Sequence, residues 1–195
     1  MLASILSVAR DVGYPVLFAL IAIETMGVPV PGETALFTAA ILAARGNLSI
    51  EAVIAIGAFA AITGDNVGFL IGRRLGRRLL LAGGPLQHHR RRLIEVGEPF
   101  FRRHGPKAVF LGRWVTGLRI TSAWLAGVNR MAWPTFLFWN ALGGIAWATS
   151  VALLGYFVGR SAERIVEKAG LGAAIAVVAA LIVAWVVVRR RPRRR

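Results

Sequence analysis

The chain has 195 residues, 56% of them hydrophobic, a mean hydropathy of +0.63 and a formal charge of +15. That balance excludes an ordinary soluble domain and points to a single polytopic membrane domain of α-helices. Cysteine is absent, which removes disulfide and thiolate chemistry, and the N-terminal MLASILSVARDV lacks the tripartite pattern of a removed signal peptide.

Residues 1–11 read as a mixed apolar and polar lead-in. The uncharged run 12–23 then meets ETMGVPVPGETALF at 24–37, which packs two carboxylates, two prolines and two glycines into an apolar region. Pro29 and Pro31 each remove a backbone donor, and Gly27 and Gly32 permit a tight reversal. Backbone freed from a helix is tolerated in hydrocarbon only where protein or a wet cavity covers it. A broken apolar segment with charges at the break, here Glu24 and Glu33, points to a transporter's binding site. Thirteen residues of helix reach only ~20 Å against a hydrocarbon core of ~30 Å. Residues 14–45 are therefore predicted to form a re-entrant helical hairpin with its tip at Pro29, Pro31 and Gly32.

Residues 51–72 predict the first full span, with Gly57, Gly64, Gly68 and Gly72 as a small-residue packing face and Asp65 about two turns inside Arg73. An aspartate at that depth requires a partner or water. The connector 73–107 is strongly basic. Within it, Leu86, Leu93, Ile94, Phe100 and Phe101 predict an amphipathic helix over 86–104, lying in the interface against anionic lipid. Its three histidines, His88, His89 and His104, have no acidic cluster at ligand spacing, so no metal site is expected. Residues 106–128 form a second disturbed apolar segment, with Arg113, Arg119 and Gly117 inside it, and predict a second re-entrant hairpin. Arg113 lies near enough to the segment's start to reach the headgroups, which leaves Arg119 as the better buried cation. Residues 131–159 hold no charge and predict the second span. A short charged loop follows at 160–168, then a third span at 169–188 and the tail RRRPRRR at 189–195. Both basic clusters abut apolar segments, which favours cytoplasmic flanks over nucleic-acid binding and places the C-terminus in the cytoplasm.

An offset of 87 residues aligns GFLIGR (68–73) with GYFVGR (155–160) and gives five identities in the 17 positions 57–73. It also sets Gly32 against Arg119. Each half then holds one broken hairpin and one full span. The topology makes the two halves inverted, with the acidic and basic breaks approaching from opposite faces.

In order and spacing, these segments resemble the DedA family of bacterial membrane proteins, whose shared region is the VTT domain. The matching residues are Glu24 with GVPVPGE (27–33), the GD…GFLIGR run (64–73), FRRHGPKAVFLGRWVTGLR (101–119) and MAWPTFLFWNALGGIAW (131–147), so that the likeness covers roughly residues 15–160. The resemblance implies a lipid flippase or scramblase of the bacterial inner membrane, acting on undecaprenyl phosphate or on phosphatidylethanolamine. It also implies that Glu24 and Glu33 are essential acids, that Arg113 and Arg119 are essential arginines, and that Asp65 is a frequent family aspartate. Guanidinium matches phosphate oxygens two at a time, so Arg113 and Arg119 would bind a lipid phosphate, while Glu24, Glu33 and Asp65 would carry protons. A lipid phosphatase would need a nucleophile or general base near the arginines, and none stands at the breaks, so no enzyme and no cofactor is expected. A proton-coupled antiporter using the carboxylates alone is the other class; the arginines argue against a cationic substrate for it. The expected partners are an anionic lipid substrate and anionic membrane lipid at the connector and tail, with homo-oligomerisation left open.

Overall fold

The computed structural model describes the backbone of residues 2–81, 99–101, 103–115 and 118–190, and side chains at 12–75, 99–101, 103–115, 118, 119 and 121–162. Among the described residues there are helices and no strand: α1 (Leu2–Thr25), α2 (Gly32–Ala44), α3 (Ile50–Leu81), a 3-10 turn at Gly105–Lys107, α4 (Ala108–Gly112), α5 (Leu118–Val128) and α6 (Trp133–Arg190). Among the described residues, two stretches are long and apolar enough to cross a membrane, Ile50–Leu75 and Trp133–Ala162. They coincide with the first two predicted spans.

The break between α1 and α2 falls where the prolines and glycines put it. Gly27 has φ +113°, a conformation that L side chains rarely adopt, and Pro31 is the residue before α2. The two helices fold back on each other: Ser49, just beyond α2, donates its backbone N–H to the Tyr14 hydroxyl on α1 at 3.0 Å. Gly32 lies so close to Leu20, Ile21 and Glu24 that a side chain there would meet the α1 backbone.

Three expectations need correction. The first arm of this hairpin starts at Leu2 rather than at residue 14, because residues 2–12 hold no glycine or proline and Gly13 and Pro15 are both carried inside α1. Its 24 residues give a rise of ~36 Å, so shortness describes α2, at ~20 Å, but not α1. The loop expected at 160–168 is helix, part of the 58-residue α6. Its sequence, RSAERIVEK, contains no glycine or proline and is rich in strong helix formers, so the charges there do not end the helix. Phe101, predicted to face lipid from an interfacial helix, is instead buried in the second apolar core. The rest of that helix falls largely at 82–98, outside the described residues. The side chains of the third predicted span, 169–188, and of the tail also lie outside them.

Among the described residues, two apolar cores hold the helices together. One joins α1, α2, α3 and α6 through Leu17, Ile21, Leu36, Val53, Ala61 and Trp147. The other joins α3, α4, α5 and α6, with the Phe69 and Phe136 rings stacked at 4.3 Å. α3 and α6 run antiparallel, since Gly57 meets Ala148, Ile62 meets Gly144 and Phe69 meets Phe136. α3 crosses α5 at Gly68, Gly72 and Gly127, and α6 crosses α2 at Gly155 and Gly159. At Gly127 a side chain would collide with the backbone of Phe69 and Arg73, which cannot yield as a side chain can. Gly127→Val is therefore expected to cost about 1–3 kcal/mol or more through overpacking. Gly13→Ala, where nothing stands within 4 Å, should be tolerated. Thermal unfolding in detergent separates the two.

Candidate functional site

Along α3 the first core ends at Ala61 and the second begins at Phe69; along α6 the second includes Phe136 and the first includes Trp147. Glu24, Glu33, Asp65, Arg113 and Arg119 gather at that interval, in two groups.

The first group is built on the α1–α2 break. Four backbone N–H groups at a helix start lack intrahelical partners, and no side chain of Pro31 caps them. Glu24 on the last turn of α1 does so instead: its Oε2 accepts the Glu33 N–H at 2.9 Å. A carboxylate is favoured at that helix end by the dipole. The other oxygen, Oε1, accepts from Arg119 Nη2 at 2.6 Å, and Arg119 Nη1 donates to Glu33 Oε2. One guanidinium in the first turn of α5 thus bridges both acids of the first break. Its Cζ lies over the Trp147 ring, 5.4 Å from the centroid, a cation–π contact that helps hold it in place. The group is graded in access: the side chains of Glu24, Arg119 and Glu33 are 9%, 18% and 52% exposed.

The second group is closed. Arg113, at the turn after α4, pairs with Asp65 of α3, and its Nη2 also donates to Asn140 Oδ1 of α6 at 2.8 Å. Asn140 is held in turn by its Nδ2, which donates to the Ile62 carbonyl at 3.2 Å. All three residues are buried. Asp65 Oδ1 and Arg113 Nε make no hydrogen bond there. Gly143 and Gly144 give Arg113 its space, since a side chain at Gly143 would come to 3.0 Å from Arg113 Cδ. This reverses the expected depths: Arg113, not Arg119, is the deeper cation, because the chain after α4 turns it inward against the two glycines.

The structure therefore brings Glu24, Glu33 and Arg119 together and places Asp65 with Arg113. Pro29 and Pro31 are exposed at the break, Gly32 is buried against α1, and Gly117 lies outside the described residues. Three further residues shape the site. Trp124 of α5 donates its indole N–H to the Met26 carbonyl at 2.8 Å and covers Gly27, which pins the first break to α5. Trp147 supports Arg119, and Asn140 orients Arg113. Asn140 could have been noticed as the one carboxamide in the uncharged run 131–159. The tryptophans look like membrane-interface residues in sequence.

Comparison with known proteins adds a family. The VTT domain model matches residues 30–157. An uncharacterized membrane protein of Mycobacterium tuberculosis (strain H37Rv) is 37% identical over 191 residues, which covers 93% of this chain and 85% of the relative. One from Synechocystis is 36% identical over 159 residues, covering 82% and 73%. Protein DedA of Escherichia coli (strain K12) is 31% identical over 152 residues, covering 75% and 68%. No solved structure matches.

Proposed function

The chain belongs to the VTT-domain family of membrane proteins, that of DedA, and from that premise we propose that it carries a phosphate-bearing lipid, such as undecaprenyl phosphate, between membrane leaflets together with protons. The observation that carries this reading is Arg119, whose guanidinium is shared between Glu24 and Glu33 yet stays partly exposed. With both acids ionised the trio has a net charge of −1, which repels a lipid phosphate. Protons on the carboxyls turn them from competitors into neutral neighbours and release the two-pronged donor for phosphate oxygens. Proton and phosphate then bind together and move in the same direction. Arg113 is the second phosphate ligand, reached when its bridge to Asp65 opens.

An inverted repeat gives such a site two symmetric exits. Two observations support it: α3 and α6 are antiparallel, and the 87-residue offset relates their crossings. It carries Gly68, packed on Trp124, to Gly155, packed on Phe37, and it carries Phe37 to Trp124. In this reading the short α2 and α5 are the returning arms of re-entrant hairpins. The connector 73–107 faces the cytoplasm of a bacterial inner membrane on the positive-inside rule, whereas a cytoplasmic tail at 189–195 would need a reversal at 160–168, where α6 runs unbroken. Single cysteines at Lys107 and Ser161 are expected to label from opposite sides with an impermeant reagent, with Ser161 outside. Labelling of both from one side overturns that topology.

The transport test uses vesicles of the reconstituted protein and labelled undecaprenyl phosphate or phosphatidylethanolamine, with and without a pH gradient. Leaflet change of the phosphate monoester, rising as the pH on its starting side falls, is the expected result. Glu33→Gln should flatten that pH dependence while leaving the protein folded, since Glu33 is half exposed and its amide keeps one acceptor for Arg119. Movement of phosphatidylethanolamine alone, indifferent to pH, would favour a scramblase instead.

A further inference from the structure

α1 and α2 do not close on each other along their whole length. Between them lies a groove of about 390 Å³, within the range of small-ligand sites, bounded by Gly13, Leu17 and Leu20 on α1 and by Ala35, Thr38 and Leu42 on α2. The groove has a sequence cause. The α1 residues recur at spacings of three and four, which form one helical stripe, and the small Gly13, Ala35 and Thr38 leave a trough where larger side chains would fill it. Leu17 and Ala39 are buried in its floor, whereas Thr38 is exposed at its lip. Its axis follows α2 from Pro31 to Leu42, a rise of ~16 Å.

One end of this groove is chemically distinct. The α1 stripe continues one turn beyond Leu20 to Glu24, and Pro31 stands next to Gly32, against which the Glu24 carboxylate rests. Glu24, which shares Arg119 with Glu33, thus stands one turn beyond the end of the apolar trough. A long chain with a negative head is the shape and charge that fits both parts at once: the head meets the guanidinium and the chain lies between the helices. We propose that the α1–α2 groove holds the hydrocarbon chain of the transported lipid phosphate while Arg119 holds its head. The assignment rests on the transport reading above and adds to it a chain-binding site on the first hairpin. Phosphate recognition alone does not distinguish a lipid from a soluble phosphate ester; the groove makes the hydrocarbon chain part of what is recognised.

The test uses hexadecyl phosphate carrying a mid-chain diazirine, in phosphatidylcholine vesicles holding the wild-type protein, against hexadecanol with the same diazirine. After photolysis, labelled positions are mapped by peptide mass. Label within 13–20 and 34–42 is expected from the phosphate, competed away by excess unlabelled hexadecyl phosphate. Arg119→Ala should lower it about tenfold or more, the worth of one charge-assisted contact. Thr38→Trp, filling the trough from an exposed position, should lower both label and leaflet change. Hexadecanol labelling the groove equally, or phosphate labelling that ignores competitor, would show ordinary bilayer contact and overturn the proposal. Wild-type label and transport in Thr38→Trp would overturn it as well. The two readings separate cleanly: competed labelling without any leaflet change keeps the groove and removes transport, while leaflet change without competed labelling keeps transport and removes the groove.

Discussion

Arg119→Lys should lose lipid transport nearly as completely as Arg119→Ala, by about a hundredfold or more, the scale of two charge-assisted hydrogen bonds. Arginine is used here as a planar fork: Nη2 meets Glu24 Oε1 at 2.6 Å while Nη1 meets Glu33, and the Cζ between them lies over Trp147. A lysine ammonium keeps the charge but is a compact point on a flexible stem. It satisfies one carboxylate at a time and lacks the planar group that the indole supports. If the lipid phosphate replaces the carboxylates in the same two-pronged contact, an ammonium fails at that step too. The check is the initial rate of leaflet change for wild type, Arg119→Lys and Arg119→Ala at matched protein density. Wild-type rates in the lysine variant would reduce Arg119 to a counter-charge for the two acids and remove the bidentate step from the mechanism. Trp147→Leu offers a second readout. It removes the supporting ring without changing charge, and it should slow transport less than either arginine variant.

Much of this site was legible in the sequence because its determinants are local. Proline and glycine next to Glu24 and Glu33 can only be a break, and the 87-residue offset alone set Gly32 opposite Arg119, one position from the Glu33–Arg119 pair of the structure. What was not legible depends on how helices pack. Counting residues from the nearest charge ranked Arg119 as deeper than Arg113, but burial is set by the turn after α4 and by Gly143 and Gly144, which lie thirty residues on. Asn140 and Trp124 act across helices, so no spacing within their own segments announces them. The extent of α1 and the helical 160–168 were missed for a different reason. Apolar runs and charge runs report where hydrocarbon is favourable, whereas helix ends are decided by caps and breakers: 160–168 has no glycine or proline, and α1 carries Gly13 and Pro15 without ending.

The second group should behave asymmetrically when it is taken apart. Asp65 and Arg113 are both buried, with side chains 4% and 2% exposed, so removing either partner leaves the other without its counter-charge. Such a loss typically costs about 3–5 kcal/mol, against a near-neutral change when both charges are replaced together by groups of similar size. The two single losses differ in kind. A carboxylate deprived of its partner can become neutral by taking a proton, whereas a guanidinium does not shed its own. Asp65→Leu, which strands the Arg113 cation between α3 and α6, is therefore expected to destabilise more than Arg113→Met. Asp65→Leu with Arg113→Met should recover most of the stability of both. Asn140→Leu should fall below these, near the ~1–3 kcal/mol of an unsatisfied donor, because Asp65 continues to neutralise the arginine. Thermal unfolding of the four variants in one detergent measures the order. Equal losses for the two single charge variants, with no recovery in the double, would mean that Asp65 and Arg113 do not act as a pair. Leaflet change adds what stability cannot show. The double variant, restored in fold, should remain inactive if Arg113 receives the phosphate after Arg119, and it should regain activity if the buried bridge serves only to join α3 to the turn after α4.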